Sequence, residues 1–418
     1  MLCPPPQWPQ SPMPSPADIA HYQRPGLLQL QELPPLSLYL HLPWCLRKCP
    51  YCDFNSHAVR GAAPGAGLGA EQKLRYLQAL EADLDAALPL VWGRSVISIF
   101  MGGGTPSLFD AEHIDRLLAS VRARLRLVPG CEITLEANPG TFETDRFAAY
   151  RDAGVTRLSI GVQSFGDAQL QALGRVHSRA QALAAVQEAR EAFETFNLDL
   201  MYALPGQDLA LLREDLATAL ALQPPHLSVY HLSIEPNTLF AKYPPRLPDE
   251  DLAYDMLDHI TAGTAQAGLE RYEVSAYAQP GHQCRHNLNY WQFGDYLGLG
   301  AGAHSKLSFA HHIVRQVRVR DPQRYMQAAL AGQAIAQEHE VARQDLPFEF
   351  MLNALRLRSG FLLSDYQRRT GMPLSSIEPA LQQALQRGLL EQPGPDLLRP
   401  TERGFDFLSD LQQLFMPG

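Results

Sequence analysis

From residue 36 the chain alternates short apolar runs with amphipathic stretches. The runs at 36–42 (LSLYLHL), 95–100, 132–137, 157–162, 197–202 and 226–232 have the length and β-branched or aromatic content of buried strands. Between them, 71–88, 110–127, 143–153, 178–195 and 208–222 place apolar residues at helical spacing. Strands alternating with helices of that length predict βαβ units and a parallel sheet, an α/β fold. Six units are too few to close an eight-stranded barrel, which leaves a partial barrel or an open sheet. A helix near 249–267 and a strand at 270–278 (ERYEVSAYA) follow. The pattern turns helical after 345, in FEFMLNALRL, SSIEPALQQALQRGLLE and TERGFDFLSDLQQLFM. With the extended LLRPT this predicts a small winged-helix-like module. Its helices at 376–391 and 403–416 are not basic, so a structural cap is expected there, not a DNA reader.

The ends and joints differ in composition. Residues 1–34 are rich in Pro and Gln, which predicts a disordered or extended tail, with Trp8 and Tyr22 as its docking candidates. AVRGAAPGAGLGA (58–70) reads as a mobile insertion. The expected division is a tail at 1–34, a core at 35–275, a connector at 276–340 and the C-terminal module at 341–418.

Composition narrows the function. The chain has 418 residues, 46% hydrophobic and 19% charged, as expected for a globular protein. A formal net charge of −9 argues against a nucleic-acid partner, because phosphate binding needs a basic face. Six cysteines, three of them scattered, are not a disulfide framework and point to a reducing compartment. No run approaches the roughly 18 apolar residues of a membrane span. The N-terminus lacks the cationic start and apolar core of a secretory signal. A cytoplasmic protein is expected; peripheral membrane contact stays open.

The chemistry gathers at strand exits, where parallel sheets place their sites. Cys45, Cys49 and Cys52 follow the first strand with spacing C-x3-C-x2-C. Thiolates hold iron–sulfur clusters, and three of them on a four-iron cubane leave one iron open for a reacting ligand. A zinc site completed by His57 is the alternative, although no second C-x2-C knuckle is present. The second strand exits at Met101-Gly102-Gly103-Gly104-Thr105-Pro106, where free glycine amides can meet a ligand; a tight turn explains the run equally well. The later exits bring Glu136 and Asn138, then Gln163 and Ser164, then Asp199 and Tyr202, then His231 and Ser233.

YLHLPWCLRKCPYC, MGGGTPSLF, LEANPG, RLSIGVQSF, LGRVHS and DLMYALPGQ together resemble the radical S-adenosylmethionine (SAM) superfamily. More narrowly they resemble the branch of oxygen-independent coproporphyrinogen III oxidases (HemN) and their HemW relatives. The resemblance implies a partial (β/α)6 barrel with a winged-helix-like C-terminal domain. It implies a 4Fe–4S cluster on Cys45, Cys49 and Cys52. Tyr39, Tyr51, Gly103, Gly104, Thr105, Glu136, Gln163, Arg175 and Asp199 fall at its SAM-contacting positions. Gly103, Gly104 and Thr105 suit the methionine carboxylate, Glu136 the ammonium, Asp199 a ribose hydroxyl and Arg175 a carboxylate; from the residues alone, Arg175 reads rather as a cap or surface bridge. The superfamily's cofactors supply hard chemistry, the reductive cleavage of SAM to a radical, while the protein supplies placement. Two departures select the HemW side. The oxidases carry a further cysteine at C-x-C, where this chain has Phe54. And His286-Asn287-x-x-Tyr290-Trp291 resembles the HemW haem-binding motif, with an imidazole for iron and flat rings for a porphyrin. A loop histidine among core aromatics is the alternative. Cys284 reads as a bystander, and His304 has no assignment. The implied function is a haem chaperone delivering haem to acceptor haemoproteins, with coproporphyrinogen oxidation as the competing reading.

Overall fold

The computed structural model describes residues 19–59, 68–140 and 146–417. Strand β1 (Leu36–Leu42) is buried along nearly its whole length. An unbroken apolar run belongs there because both faces of a central parallel strand are covered. Parallel to it in succession run β2 (Ser95–Gly103), β3 (Arg126–Ala137), β4 (Arg157–Gln163), β5 (Thr195–Tyr202) and β6 (His226–His231). The helices between them, Ala70–Val91, Ala111–Arg124, Phe147–Asp152, Arg179–Ala192 and Leu209–Ala221, pack their apolar stripes on the outer face. A Ser178/Gln181 capping box starts the fourth of these at its predicted position.

The sheet extends further than the apolar runs predict. ERYEVSAYA is not one strand. It folds into a hairpin of β7 (Glu270–Arg271) and β8 (Ala276–Ala278), reversed where the Arg271 guanidinium binds Val274 O at 2.7 Å. Residues 276–340, expected as a connector, supply two helices (Arg285–Trp291 and Pro322–Leu330) and, after β8, four more strands. These are β9 (Asp295–Leu299), β10 (His304–Ser308), β11 (Ile313–Arg318) and β12 (Ile335–Glu340). Strand β9 pairs parallel with β1, and β10 to β12 continue antiparallel. One 12-stranded sheet results, in the order β12-β11-β10-β9-β1-β2-β3-β4-β5-β6-β8-β7. A glycine in β9 is demanded by close approach: a Cβ on Gly298 would stand 2.0 Å from His304 O.

Buried charge ties the added strands down. Asp295 bonds Lys306 at 2.9 Å and Arg94 at 2.8 Å. Asp83, on the first helix, meets Arg318 at 3.3 Å and Tyr325 at 2.9 Å. Removing one partner of such a pair costs roughly 3–5 kcal/mol.

The C-terminal module has its own apolar cluster around Phe350, Met351, Tyr366 and Leu411. Helices Leu346–Ala354, Leu363–Thr370 and Glu378–Gln386 surround it, with a three-stranded sheet and the helices Glu402–Asp406 and Leu408–Gln413. Leu363–Thr370 is absent from the sequence pattern because LSDYQRRT buries only Tyr366 and Thr370. The tail needs correction over residues 19–34, which form a packed strap. Tyr22 stacks on Phe309 at 4.8 Å, and Leu28 and Leu30 join the module's apolar cluster. Trp8 and the rest of 1–18, and residues 60–67 of the insertion, lie outside the described residues.

Candidate functional site

The three cysteines sit on a loop closed at its base, where Trp44–Cys45 pairs with His57–Ala58. Cys52 N–H donates to Cys49 O at 3.2 Å, and Lys48 donates to Phe54 O at 2.9 Å. Asn55 clamps the loop to the far end of the sheet by donating to Ala301 O (2.9 Å) and Arg320 O (2.8 Å). All three thiols are half-buried and outside any disulfide. Burial pushes the Cys45 thiol up to about 11 and raises Cys52 as well. Such thiols become thiolates on binding metal, which displaces their protons.

The loop caps a cavity of about 490 Å³ on the concave face of the sheet. Cys45, Cys49, Tyr51, Cys52, Gly103, Gly104, Thr105, Glu136, Gln163, Arg175 and Asp199 all line it. The glycine run has a different reason from the one expected. Gly103 has φ +107°, and a Cβ there would lie 2.3 Å from the His41 ring. A Cβ on Gly104 would lie 2.6 Å from Trp44 O. Nor are the amides free. Gly103 N–H donates to Glu136 (3.1 Å), Gly104 N–H to Leu42 O (2.9 Å) and Thr105 N–H to Trp44 O (2.7 Å). The run packs β2 against the cysteine loop.

The charged groups of this chamber are half-buried. Burial, then the nearby Asp199, raises the Glu136 carboxyl to about 7. Asp199 is itself raised by burial, although Asn197 (2.8 Å) and Ser159 (3.0 Å) donate to it. Arg175 is no surface bridge. It is half-buried, donates to Gly161 O at 2.6 Å and to Asn138, and reaches Cys49 Sγ at 3.8 Å. Its Nε has no partner among the described residues. Gln163 holds a left-handed φ of 67°, a strained position at the rim.

A second cavity of about 720 Å³ adjoins the first. Phe100, Gly103 and Glu136, with Asp53 and Phe54 of the loop, line both. Tyr39, Tyr290, Trp291 and Tyr296 give the second chamber aromatic walls, and Arg315 and Arg320 bring positive charge. The HNxxYW string is the helix Arg285–Trp291, whose first N–H groups, of Arg285 (3.0 Å) and His286 (3.2 Å), bind the Glu132 carboxylate. Spacing of i, i+4 puts His286 with Tyr290 and Asn287 with Trp291. The four residues nevertheless divide between chambers: His286 and Asn287 line the first, Tyr290 and Trp291 the second. His286 is buried and stacks on Phe100, with centroids 4.2 Å apart. Its Nδ1 lies 3.1 Å from Cys284 Sγ and 3.3 Å from Glu132. Burial opposes the His286 charge, but Cys284 and Glu132 outweigh it and raise the ring to about 9. Burial likewise opposes the Glu132 charge, yet His286, Arg157 and the helix amides hold it at about 2. Cys284 is therefore part of this network. Arg157 beside it makes the trio an ion-pair cluster, not a cation site.

Phe100, Ser159 and Tyr230 also line the chambers and escaped the sequence reading. Their signal was the two-residue strand period, which puts Ser228 and Tyr230 on one face of β6 and Tyr39 with His41 on one face of β1.

Comparison with known proteins bears on this arrangement. The radical SAM superfamily pattern matches residues 39–219, and the HemN C-terminal domain pattern matches 341–407. A protein of Escherichia coli called "Heme chaperone HemW" is 46% identical over 92% of this chain and 99% of its own length. Its namesake in Haemophilus influenzae is 45% identical over 93% and 99%. The chain belongs to the radical SAM superfamily, in its HemW branch. The solved structure of E. coli coproporphyrinogen III oxidase (HemN) shares the fold, with a TM-score of 0.76 at 24% identity, over 92% of this chain and 90% of that one.

Membership in the radical SAM superfamily implies a 4Fe–4S cluster and SAM. The residues present fit both. Three thiols free of disulfides share one loop. A guanidinium with a buried, unpartnered Nε suits a carboxylate, and two half-buried acids with raised proton affinity suit an ammonium and hydroxyls. Among the described residues no helix is long and apolar enough to cross a membrane.

Proposed function

We propose that this protein is a haem chaperone, binding haem beside a 4Fe–4S cluster and SAM and delivering it to acceptor haemoproteins in the cytoplasm. The observation behind this reading is the aromatic chamber, walled by Tyr290 and Trp291, directly against the cysteine loop. The high identity to relatives named heme chaperones supports it.

Cys45, Cys49 and Cys52 would hold the cluster, which with bound SAM supplies one-electron bond cleavage. This chain's own residues place and shield that pair. Glu136 offers its carboxylate to the ammonium. Arg175 offers its free Nε to the carboxylate while gripping Gly161 and Cys49. Asp199, oriented by donation from Ser159 and Asn197, would accept from a ribose hydroxyl. Tyr51, Gln163, Gly103, Gly104 and Thr105 shape the walls, the last three as packing and not as amide donors, whereas Tyr39, expected among the SAM contacts, lines the second chamber instead. His286, Asn287, Tyr290 and Trp291 form the haem-side element.

Haem titration of purified, reconstituted protein tests the proposal. A stoichiometric Soret shift is expected, and its absence would reject it. Coproporphyrinogen oxidation is the competing enzyme reading. Phe54, 61% exposed at the mouth of both chambers, offers no thiol where the oxidases carry their further cysteine. Protoporphyrinogen formed anaerobically with SAM and a reductant would favour the oxidase instead.

A further inference from the structure

We propose that His304, and not the motif histidine His286, ligates the haem iron, with haem lying in the second chamber and a propionate on Arg320. This rests on the haem-binding reading above.

The geometry of His286 opposes direct ligation. One ring face lies on Phe100, with centroids 4.2 Å apart, and the Nδ1 edge is held by Cys284 Sγ at 3.1 Å and Glu132 at 3.3 Å. It is buried and borders the first chamber, whereas the flat walls of Tyr290 and Trp291 face the second. Two other histidines line that second chamber. His41 is engaged at both nitrogens, by Tyr39 OH (2.8 Å) and Asn55 O (3.0 Å). The His304 ring makes no hydrogen bond among the described residues and stands exposed at the start of β10. A free imidazole nitrogen is what an axial iron ligand requires.

The GLGAGAHS string builds that position. Gly300 (φ +109°) and Gly302 (φ +74°) make the turn from β9 to β10, and a Cβ on Gly302 would stand 2.5 Å from Asn55. Asn55 in turn binds Ala301 O and Arg320 O, so the cysteine loop and the His304 turn are held together. The cations divide in the same way. Lys306 pairs with Asp295, Arg318 with Asp83 and Arg315 with Glu349. Arg320 is exposed, lines the chamber and forms no ion pair among the described residues, leaving it for an anionic substituent. The Trp291 Nε1–H, buried without a partner, is a second donor in this wall. A volume of about 720 Å³ lies within the range of pockets that enclose a sizeable ligand.

The test is titration of full-length, cluster-reconstituted protein with haemin, read by visible and electron paramagnetic resonance spectra. His304→Ala should abolish the imidazole–iron signature and weaken binding roughly tenfold or more. Added free imidazole should restore the signature, a rescue that misfolded protein cannot give. His286→Ala should weaken binding yet keep the signature, as a positioning residue would. Arg320→Ala should weaken haemin binding severalfold and leave the binding of haem dimethyl ester unchanged. An unaltered signature in His304→Ala, with its loss in His286→Ala, overturns the assignment while leaving haem binding standing. Failure of the unsubstituted protein to take up haemin overturns the haem-chaperone reading itself, and this inference with it.

Discussion

The two chambers share a wall of Phe100, Gly103 and Glu136, yet they present opposite chemistries. The first is lined by thiols, by two half-buried carboxyls and by Arg175, and most of these groups already hold fixed partners. The second is lined by aromatic rings, with an exposed histidine and an unpaired arginine at its edge. A charged cofactor needs groups oriented before it arrives, because reorienting buried dipoles is costly. A flat apolar cargo that must leave again needs area and few fixed bonds. The contrast suits a resident cofactor pair beside a transient ligand.

The largest expected effect would cut the chambers apart. Cys49→Ser should abolish cluster assembly, removing iron, acid-labile sulfide and brown absorbance after anaerobic reconstitution, while haemin still binds. Equal loss of both would show that the second chamber depends on the cluster.

Glu132→Gln comes next. It breaks the buried pair with His286 beneath the shared wall, at a cost of roughly 3–5 kcal/mol at neutral pH, measured by urea unfolding. Because Glu132 is held at about 2 against an ordinary 4.5, the stability it adds is present above 4.5 and fades as pH falls toward 2. The variant should lose that acid dependence.

Gly103→Ala places a methyl against His41 at a left-handed φ and should cost about 2–4 kcal/mol, seen as a lowered unfolding midpoint. Both chambers should lose affinity, since the residue lines each. If only SAM binding suffers, the wall is not shared in function.

The smallest effect concerns Glu136. The folded protein keeps its proton up to about pH 7, whereas the unfolded chain releases it near 4.5. Stability should therefore decline as pH rises across that window. SAM affinity, which needs the carboxylate, should fall about tenfold per pH unit below 7 and level above it. Calorimetry on Glu136→Gln should show weak, pH-independent SAM binding, and haemin binding should not follow this profile.

Much of this was legible in the chain. Each of the six apolar runs became a strand, since LSLYLHL or RLSIGV can satisfy both faces of a covered sheet in no other way. The thiol spacing and the polar residues at strand exits needed no coordinates, because a parallel sheet gathers its exits at one end. The amide role of Gly103 and Gly104 was misjudged, since glycine signals close approach without saying to what. The strap at 19–34 was missed because its buried residues, Tyr22, Leu28 and Leu30, are too far apart to show a period.

Local order by itself determined the fold class and set the thiol spacing of the cysteine loop, and the resemblance of its motifs pointed to the branch of the superfamily. They act through neighbours in the chain, where periodicity, turn preference and ligand spacing are set. Only the tertiary structure decided that β9 pairs with β1, that Asn55 reaches Arg320, and that the HNxxYW helix divides its side chains between two chambers. Those contacts join residues hundreds of positions apart. They arise from the burial of a whole sheet, which no short stretch of chain encodes.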